Sequence, residues 1–289
     1  MNERLKGTFK RKRKNIKLLT FYRSMDITLG IILLLILLGL LAAIVATIAG
    51  VGGGVMYVPI MAIIIGLPID HAIDTSTFVI LITSGVGFLS YLKQKRTNIK
   101  MSLIFSLFSI LGALLCIGFL ILFPINNEIL RDLFGALLIL TGVNMAYKIY
   151  SNYRRKIKEV EDPNYVLKDH DYKKDLKRGI PFFMFAGFIA YLLGIGGGVI
   201  NTPALNLIFG FPIHNATALS TSIIFFTAIF NTVIKILFGS INYLIGLFLA
   251  LGSVFGAFIG AKISEKMPRR YLRIFVAVLL IILGINMLL

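Results

Sequence analysis

The chain has 289 residues, of which 57% are hydrophobic and only 15% are charged, and its mean hydropathy is +0.89. This composition excludes an ordinary soluble domain and is typical of a helical membrane protein, and the alternating pattern of a membrane barrel does not occur. The net charge of +17 lies almost entirely outside the apolar segments.

The chain begins with a strongly basic segment. Residues 1–23 carry nine Lys and Arg side chains and one acid, Glu3. Such a cluster directly before a membrane helix is typical of a cytoplasmic flank attracted to anionic lipid. We therefore predict that residues 1–28 are cytoplasmic and contact anionic membrane lipids. Nucleic acid is not an expected partner, because no interleaved aromatic residues and no binding fold accompany the charge.

Eight apolar segments follow, each near or above the roughly 20 residues that cross a bilayer as a helix. We predict an all-α polytopic membrane protein with about eight transmembrane helices. The segments are 29–66, 72–92, 101–123, 130–150, 181–210, 216–237, 245–261 and 272–289.

The sequence repeats itself at an offset of 144 residues, the distance from Gly50 to Gly194. We predict two tandem four-helix repeats, 29–150 and 180–289, each with a glycine-broken first helix and joined by a charged cytoplasmic linker, 151–179. The aligned pairs include Gly52 to Gly54 with Gly196 to Gly198, Pro59 with Pro203, and Ser76-Thr77 with Ser220-Thr221.

The positive-inside rule places the basic head, the loop 93–100 and the linker on the inner side. Each repeat then crosses the membrane an even number of times, which predicts parallel repeats related by an axis along the membrane normal. The segment 262–273 disagrees, because its five basic residues would lie outside. The alternative counts each glycine-broken segment as two crossings, and the halves are then inverted.

Each glycine run interrupts an apolar helix, at Gly52 to Gly54 and at Gly196 to Gly198. Glycine costs about 1 kcal/mol relative to alanine inside a helix, and a broken membrane helix persists only where its free backbone groups line a cavity or meet a ligand. A helix begins after each run, so its N–H groups and positive dipole end favour an anion at the midplane. The alternatives are a cation held by carbonyl groups and close helix packing.

Polar residues after each break predict further contacts to this site. Serine and threonine hydroxyls, joined by Asn231 in the second repeat, are the candidates, although a hydroxyl can also bond back to its own helix. Asp74 and Lys235 are candidates for ion coupling, with an N-cap role and snorkelling to the interface as the respective alternatives. The predicted substrate-binding residues are Gly52, Gly53, Gly54, Ser76, Thr77, Gly196, Gly197, Gly198, Ser220, Thr221 and Asn231.

The sequence predicts no enzyme, no catalytic residue, no metal and no cofactor. Cys116 is the single cysteine, so neither a disulfide within the chain nor a thiolate metal site can form. The apolar segments contain no carboxylate pair, no H-E-x-x-H and no cysteine–histidine arrangement. A phosphate-binding loop is absent too, which argues against an ATP-driven pump.

Two copies of G-x-G-G-G-x-x-x-x-P, each followed by G-x-P and an A-x-x-x-S-T cluster, resemble the sulfite exporter TauE/SafE family, also described as toluene-sulfonate uptake permeases. The resemblance covers 37–150 and 180–289. It implies a multi-pass secondary transporter of the cell membrane for sulfite, organosulfonates or related sulfur anions. Alternating access around the midplane site is the expected mechanism.

Two departures from the doubled pattern leave the substrate and the coupling ion open. Asp74 stands where the second copy has Ala218, and the central linker is long and charged. An anion channel, a carrier of a non-sulfur organic anion and a scaffold that recruits partners through its basic segments are the alternatives. The direction of transport and the oligomeric state, a homo-oligomer included, are also open.

Overall fold

The computed structural model describes residues 29–50, 52–154, 173–263 and 269–288, and these ranges contain ten α-helices and no strand. The all-α prediction is confirmed. The helices are α1 (Leu29–Ala49), α2 (Gly54–Pro59, continued by the π-helical turn Ile60–Ile64), α3 (Ile69–Lys93), α4 (Ile99–Leu122), α5 (Asn127–Arg154), α6 (Lys173–Leu193), α7 (Gly198–Leu207), α8 (Ile213–Phe238), α9 (Tyr243–Ile263) and α10 (Arg269–Leu288).

The first five helices recur as the second five in the same order. The connections recur in backbone detail: Pro68 precedes α3 with φ −52° and ψ 141°, and Pro212 precedes α8 with φ −51° and ψ 142°. Proline fixes φ near the helical value without needing an N–H partner, which suits the start of a helix. The sequence offset of 144 residues thus recurs in the helix order and in these two connections.

Six of the described helices are long and apolar enough to cross a membrane, namely α1, α3, α4, α6, α8 and α9. The eight predicted crossings are therefore met in part. Many large apolar side chains on these helices face outward, among them Leu33, Leu107 and Leu251. Hydrocarbon is the natural surrounding for such a surface, since lipid tails are as apolar as leucine.

The helices extend into the predicted linker, 151–179. Helix α5 continues to Arg154 and α6 begins at Lys173. The basic head, 1–28, and the remaining linker residues, 155–172, lie outside the described residues.

Corresponding helices of the two repeats run in opposite directions. The Thr232 hydroxyl on α8 donates to the Thr77 carbonyl oxygen on α3 over 3.3 Å, whereas Gly87, farther along α3, faces Thr221, earlier on α8. Helices α5 and α10 show the same reversal, because Gly135 faces Leu288. The repeats are therefore inverted, and the prediction of parallel repeats is wrong.

The chain reverses at each glycine run, and this is the physical reason for the inversion. Gly50 and Gly52 take φ values of +63° and +91°, which L side chains rarely adopt. The last turn of α1 lies beside the end of α3, where the Tyr91 hydroxyl donates to the Thr47 carbonyl oxygen. Helix α2 then returns towards the start of α3. Each broken segment is thus a helical hairpin with a 21-residue first arm, not one crossing cut in half.

The reversal groups most of the described basic residues at one end of the bundle, while Arg131 and Lys235 lie towards the other end. Helices α3 and α9 run parallel, since Thr75 contacts Asn242 near their starts and Gln94 contacts Ala261 near their ends. The segment that begins at Lys262 therefore shares an end with the loop 93–100, so the discrepancy predicted for 262–273 disappears, and a new one arises at Leu29, where the basic head joins α1. We call this the basic end. Helices α1, α3 and α9 begin at the opposite, neutral end, so Leu29 does not share an end with Lys93 as predicted.

The two repeats interlock through their first and fourth helices. Helix α1 packs against α9 of the other repeat, and α6 packs against α4 in the same way. Glycines allow the backbones to touch: Gly252 faces the Ile36 carbonyl group, and Gly112 faces that of Met184. Small residues that permit this approach are the usual basis of helix association in lipid.

We expect Gly112→Ala to lower the melting temperature in detergent and Gly118→Ala on the same helix to leave it unchanged or raise it. A Cβ at Gly112 overlaps the Met184 backbone, whereas a Cβ at Gly118 meets no atom within 4 Å. Overpacking costs about 1–3 kcal/mol, and alanine at an open helix position gains up to about 1 kcal/mol. Equal melting temperatures for the two variants in a thermal-shift assay would contradict the close α4–α6 contact.

Candidate functional site

The two glycine runs pack against each other in the centre of the bundle. A Cβ on Gly52 would lie 2.5 Å from the Ile195 carbonyl oxygen, and one on Gly54 would overlap the Gly194 carbonyl group. The position of a Cβ on Gly196 is 3.7 Å from the Gly52 Cα. Glycine is therefore required here for backbone contact between the repeats, whatever else it does.

Hydroxyl groups from each repeat hold the glycine run of the other. Ser76 Oγ lies 2.8 Å from the Gly194 carbonyl oxygen. In the other direction, Ser220 and Thr202 donate to the Gly50 carbonyl oxygen over 3.2 and 2.7 Å. One carbonyl group at the end of each first helix, that of Gly50 after α1 and that of Gly194 after α6, is thus already hydrogen-bonded.

The helices that begin after the glycine runs have no comparable partner at their N-termini. Neither N-cap residue, Gly53 or Gly197, provides a side-chain hydrogen bond. The first N–H groups of a helix have no acceptor within the helix itself. In the ten-residue helix α7, this leaves a positive helix end directly beside Gly196.

Two cavities flank the glycine runs between α3 and α8, and they correspond under the 144-residue offset. Ile80 and Ile224 line both. The first-repeat cavity, of about 20 Å³, is also lined by Ala46, Thr47, Gly52, Gly53, Thr83, Ser84 and Thr221. The second-repeat cavity, of about 10 Å³, is also lined by Thr77, Ala190, Gly196, Thr227, Ala228 and Asn231.

The second-repeat cavity contains a polar atom that lacks a hydrogen-bond partner among the described residues. The Asn231 side chain is 3% exposed, and its Oδ1 atom has no hydrogen-bond partner among the described residues. A buried polar group without a partner costs about 1–3 kcal/mol. The aligned residue in the first repeat is Gly87, so the first-repeat cavity has no counterpart to this amide.

A second difference between the repeats lies next to the cavities. In the first repeat, Thr83 Oγ1 lies 3.0 Å from the Tyr57 hydroxyl and 2.8 Å from Ser253 Oγ. The residues aligned with Tyr57 and Ser253 are Asn201 and Ser109, whose Oδ1 and Oγ atoms have no partner in the part of the chain that the structure describes. The unused polar groups therefore gather on the side of the second-repeat cavity.

A buried ion pair lies one helical turn beyond Asn231, towards the neutral end. Lys235 Nζ is 3.2 Å from Asp74 Oδ1 and 5.1 Å from the Tyr191 ring centroid, and the Lys235 side chain is 3% exposed. Snorkelling of Lys235 is therefore wrong. The N-cap role of Asp74 is also wrong, because α3 begins at Ile69 and Asp74 lies in its second turn.

The cavities contain six of the eleven predicted substrate-binding residues: Gly52, Gly53, Thr77, Gly196, Thr221 and Asn231. The other five have different surroundings. Gly54 and Gly197 face backbone of the other repeat and of α6, Gly198 begins α7, and Ser76 and Ser220 hold the glycine runs.

Sequence reasoning missed several residues at the site, among them Thr47, Tyr57 and Asn201. A signal for two of them existed. The 144-residue offset aligns Tyr57 with Asn201, a large polar residue in each short helix at the same distance from the glycines. Tyr191, which packs on Lys235, had no local signal, because its partner comes from α8.

Comparison with known proteins assigns the chain to a family. The family model for the sulfite exporter TauE/SafE matches residues 35–287. The chain belongs to the TauE/SafE family. The predicted resemblance is thereby confirmed for nearly all of the chain.

Named relatives of this TauE/SafE protein are probable membrane transporters. Probable membrane transporter protein YunE of Bacillus subtilis is 30% identical over 218 residues, which are 71% of this chain and 78% of that protein. A probable membrane transporter protein of Methanocaldococcus jannaschii is 32% identical over 185 residues, which are 62% of this chain and 63% of the relative. No solved structure gives a significant match.

Proposed function

We propose that this TauE/SafE protein is a secondary transporter of small anions, with sulfite, organosulfonates and related sulfur anions as the substrate class. The observation that carries the proposal is the difference between the two kinds of helix end at the centre. One carbonyl group at the end of each of α1 and α6 accepts from hydroxyl groups of the other repeat, whereas the N-cap glycines of α2 and α7 have no side chain to cap the helix. This favours an anion over a cation.

The second-repeat cavity contains polar groups that would bind a sulfur oxyanion only after they reorient. The Thr77 and Thr227 hydroxyls donate to the Ile73 and Ile223 carbonyl oxygens of their own helices, and the unpartnered atom of Asn231 is the acceptor Oδ1. Turning the Asn231 amide over would direct its two N–H donors into the cavity. Gly196 lines the cavity two residues before α7, so the helix end faces the same space. At about 10 Å³, the cavity must widen before a sulfonate enters it.

The inverted repeats support alternating access as the mechanism. In inverted-repeat transporters, one repeat moves against the other around a fixed site near the midplane. The two corresponding cavities here supply such a site, and exchanging the conformations of the repeats would exchange the access routes from the two membrane faces. A channel would need no such exchange.

The proposal places the protein in the cell membrane with the basic end in the cytoplasm, as the positive-inside rule requires. The charged linker then lies on the cytoplasmic side. Helices α5 and α10, with 28 and 20 residues, bring the long crossings to eight, and the short helices α2 and α7 carry the chain back after α1 and α6, as inverted repeats require. Helix α1 begins at the neutral end, so this orientation does not keep the predicted cytoplasmic position of the head, 1–28, and binding of anionic lipid by the head is a separate proposal.

Uptake into proteoliposomes tests the function. We expect one or more of sulfite, thiosulfate, sulfoacetate and methanesulfonate to accumulate when an ion gradient is imposed, with acetate and sulfate as comparison anions and protein-free liposomes as the control. Flux that only equalises concentrations would indicate a channel. No flux of any sulfur anion, from protein that is monodisperse in detergent, would overturn the proposed substrate class.

A further inference from the structure

The Asp74–Lys235 pair is the one described ion pair that joins the two repeats. Lys235 lies four residues after Asn231 on α8, and Asp74 lies three residues before Thr77 on α3. Residues at these spacings are neighbours on one helix face, with Cβ atoms about 5–6 Å apart. The pair is therefore adjacent to two residues that line the second-repeat cavity, on its neutral-end side.

The basic end has no counterpart to this pair. The residues aligned with Asp74, Lys235 and Tyr191 are Ala218, Tyr91 and Thr47. There the Tyr91 hydroxyl donates to the Thr47 carbonyl oxygen over 2.9 Å. A pair of charges stands in place of a neutral hydrogen bond at only one of two otherwise equivalent positions. Asp74 Oδ2 also accepts from the Ser240 N–H over 2.8 Å, which accounts for one carboxylate oxygen but not for the ammonium group beside the other.

A buried ion pair is also a poor choice for stability alone. Removing two charges from water costs several kcal/mol for each ion, and apolar residues of similar volume often stabilise a protein more. Intramembrane charges mark substrate pathways and proton relays far more often than they mark structural contacts. Among the described residues, Lys235 is the cation close to Asn231, whose Oδ1 atom has no hydrogen-bond partner there.

We propose that Asp74 is the counterion of Lys235 when no transported anion is bound, and that the proton which neutralises Asp74 is cotransported with that anion. The inference rests on the proposed function. When Asp74 Oδ1 takes up a proton, its attraction for the Lys235 ammonium group falls, and the anion in the cavity becomes the counterion of Lys235. Release of the anion returns Lys235 to Asp74, which then loses its proton.

The charge balance fixes the stoichiometry. One proton enters with one monovalent anion, so a full step moves no net charge and follows the pH gradient, not the membrane potential. The other described titratable groups around the pair are Tyr191 on α6, Cys116 on α4 and His71 on α3. His71 is the competing proton site, and its Nδ1 atom lies 2.8 Å from the Ser240 carbonyl oxygen.

Transport of methanesulfonate tests the inference, because this anion does not titrate in the working pH range. In wild-type proteoliposomes we expect about tenfold accumulation for each unit of imposed pH gradient, the limit for one proton per anion, since a tenfold ratio equals about 1.4 kcal/mol. In Asp74→Asn, exchange of internal for external anion should persist, while accumulation driven by the pH gradient disappears. His71→Gln is the matched control and should accumulate as wild type does.

Several outcomes would overturn the inference and leave the transporter assignment standing. These are accumulation in Asp74→Asn equal to that in wild type, loss of coupling in His71→Gln alone, or wild-type uptake that follows the membrane potential. If Asp74→Asn does not fold, an internal pH dye in wild-type vesicles decides, because uptake must carry one proton per anion. Absence of wild-type exchange for every sulfur anion would instead reject the proposed function.

Discussion

Replacing Asn231 by leucine should reduce anion transport by about 30- to 100-fold while leaving the protein as stable as wild type or more so. The side chain is buried in the second-repeat cavity, and its Oδ1 atom has no partner among the described residues. A hydrogen bond to a charged ligand contributes about 1.5–3 kcal/mol, and its loss accounts for most of the expected decrease in transport. The leucine side chain also fills the remaining space in the cavity. Initial uptake rates in proteoliposomes measure the effect.

The direction of the stability change separates function from structure. An apolar side chain of the same shape removes the penalty of an unsatisfied polar group, so the melting temperature of Asn231→Leu should not fall. Thr141→Val is the control, because Thr141 bonds only to its own helix, at the Leu137 carbonyl oxygen. A lower melting temperature together with normal transport would show that Asn231 is structural.

Removal of one member of the Asp74–Lys235 pair should cost far more stability than removal of both. Asp74→Ala leaves a buried ammonium group without its counterion, which typically costs about 3–5 kcal/mol. Asp74→Ala combined with Lys235→Met removes both charges and should recover most of that loss. Thermal unfolding in one detergent, at one pH, compares the two variants with wild type.

The chain provides its own exposed ion pair as the control. Arg178 and Asp175 on α6 lie 3.5 Å apart, and the Arg178 side chain is 82% exposed. Exposed pairs contribute about 0–1 kcal/mol, so Arg178→Ala should change the melting temperature little. If the double variant proved as unstable as Asp74→Ala, the loss would come from packing and not from an uncompensated charge.

Much of the architecture could be predicted from the sequence, because hydropathy determines where membrane helices lie and repetition determines which of them correspond. The positions of the glycine breaks were predicted correctly, and the helices that follow begin at the last glycine of each run, Gly54 and Gly198, instead of after it. The direction of the chain after each break was not predicted correctly. A glycine permits both a continued and a reversed path, and the choice depends on the positive φ values of Gly50 and Gly52, which hydropathy does not encode.

The candidate site was harder to predict because its contacts join distant parts of the chain. Asp74 and Ser76 received local interpretations, yet their decisive partners, Lys235 and Gly194, belong to the other repeat. The glycines of the two runs also have different roles, and the sequence did not predict the difference for the same reason. Gly54 serves backbone contact between the repeats, whereas Gly196 borders the cavity, and one repeat seen alone cannot separate these roles.

The interlocked, inverted repeats also bear on how such a protein arose. Helices α3 and α8, and likewise α5 and α10, contact their own counterparts, as the two subunits of a twofold-symmetric homodimer do. A half-length ancestor would have assembled from two copies inserted in opposite orientations, with little charge bias to fix either one. Fusion of two such copies would remove the need for dual insertion and would let each half diverge. A carboxylate in one half and an ammonium group at a non-equivalent position in the other require that freedom, because identical subunits carry identical residues.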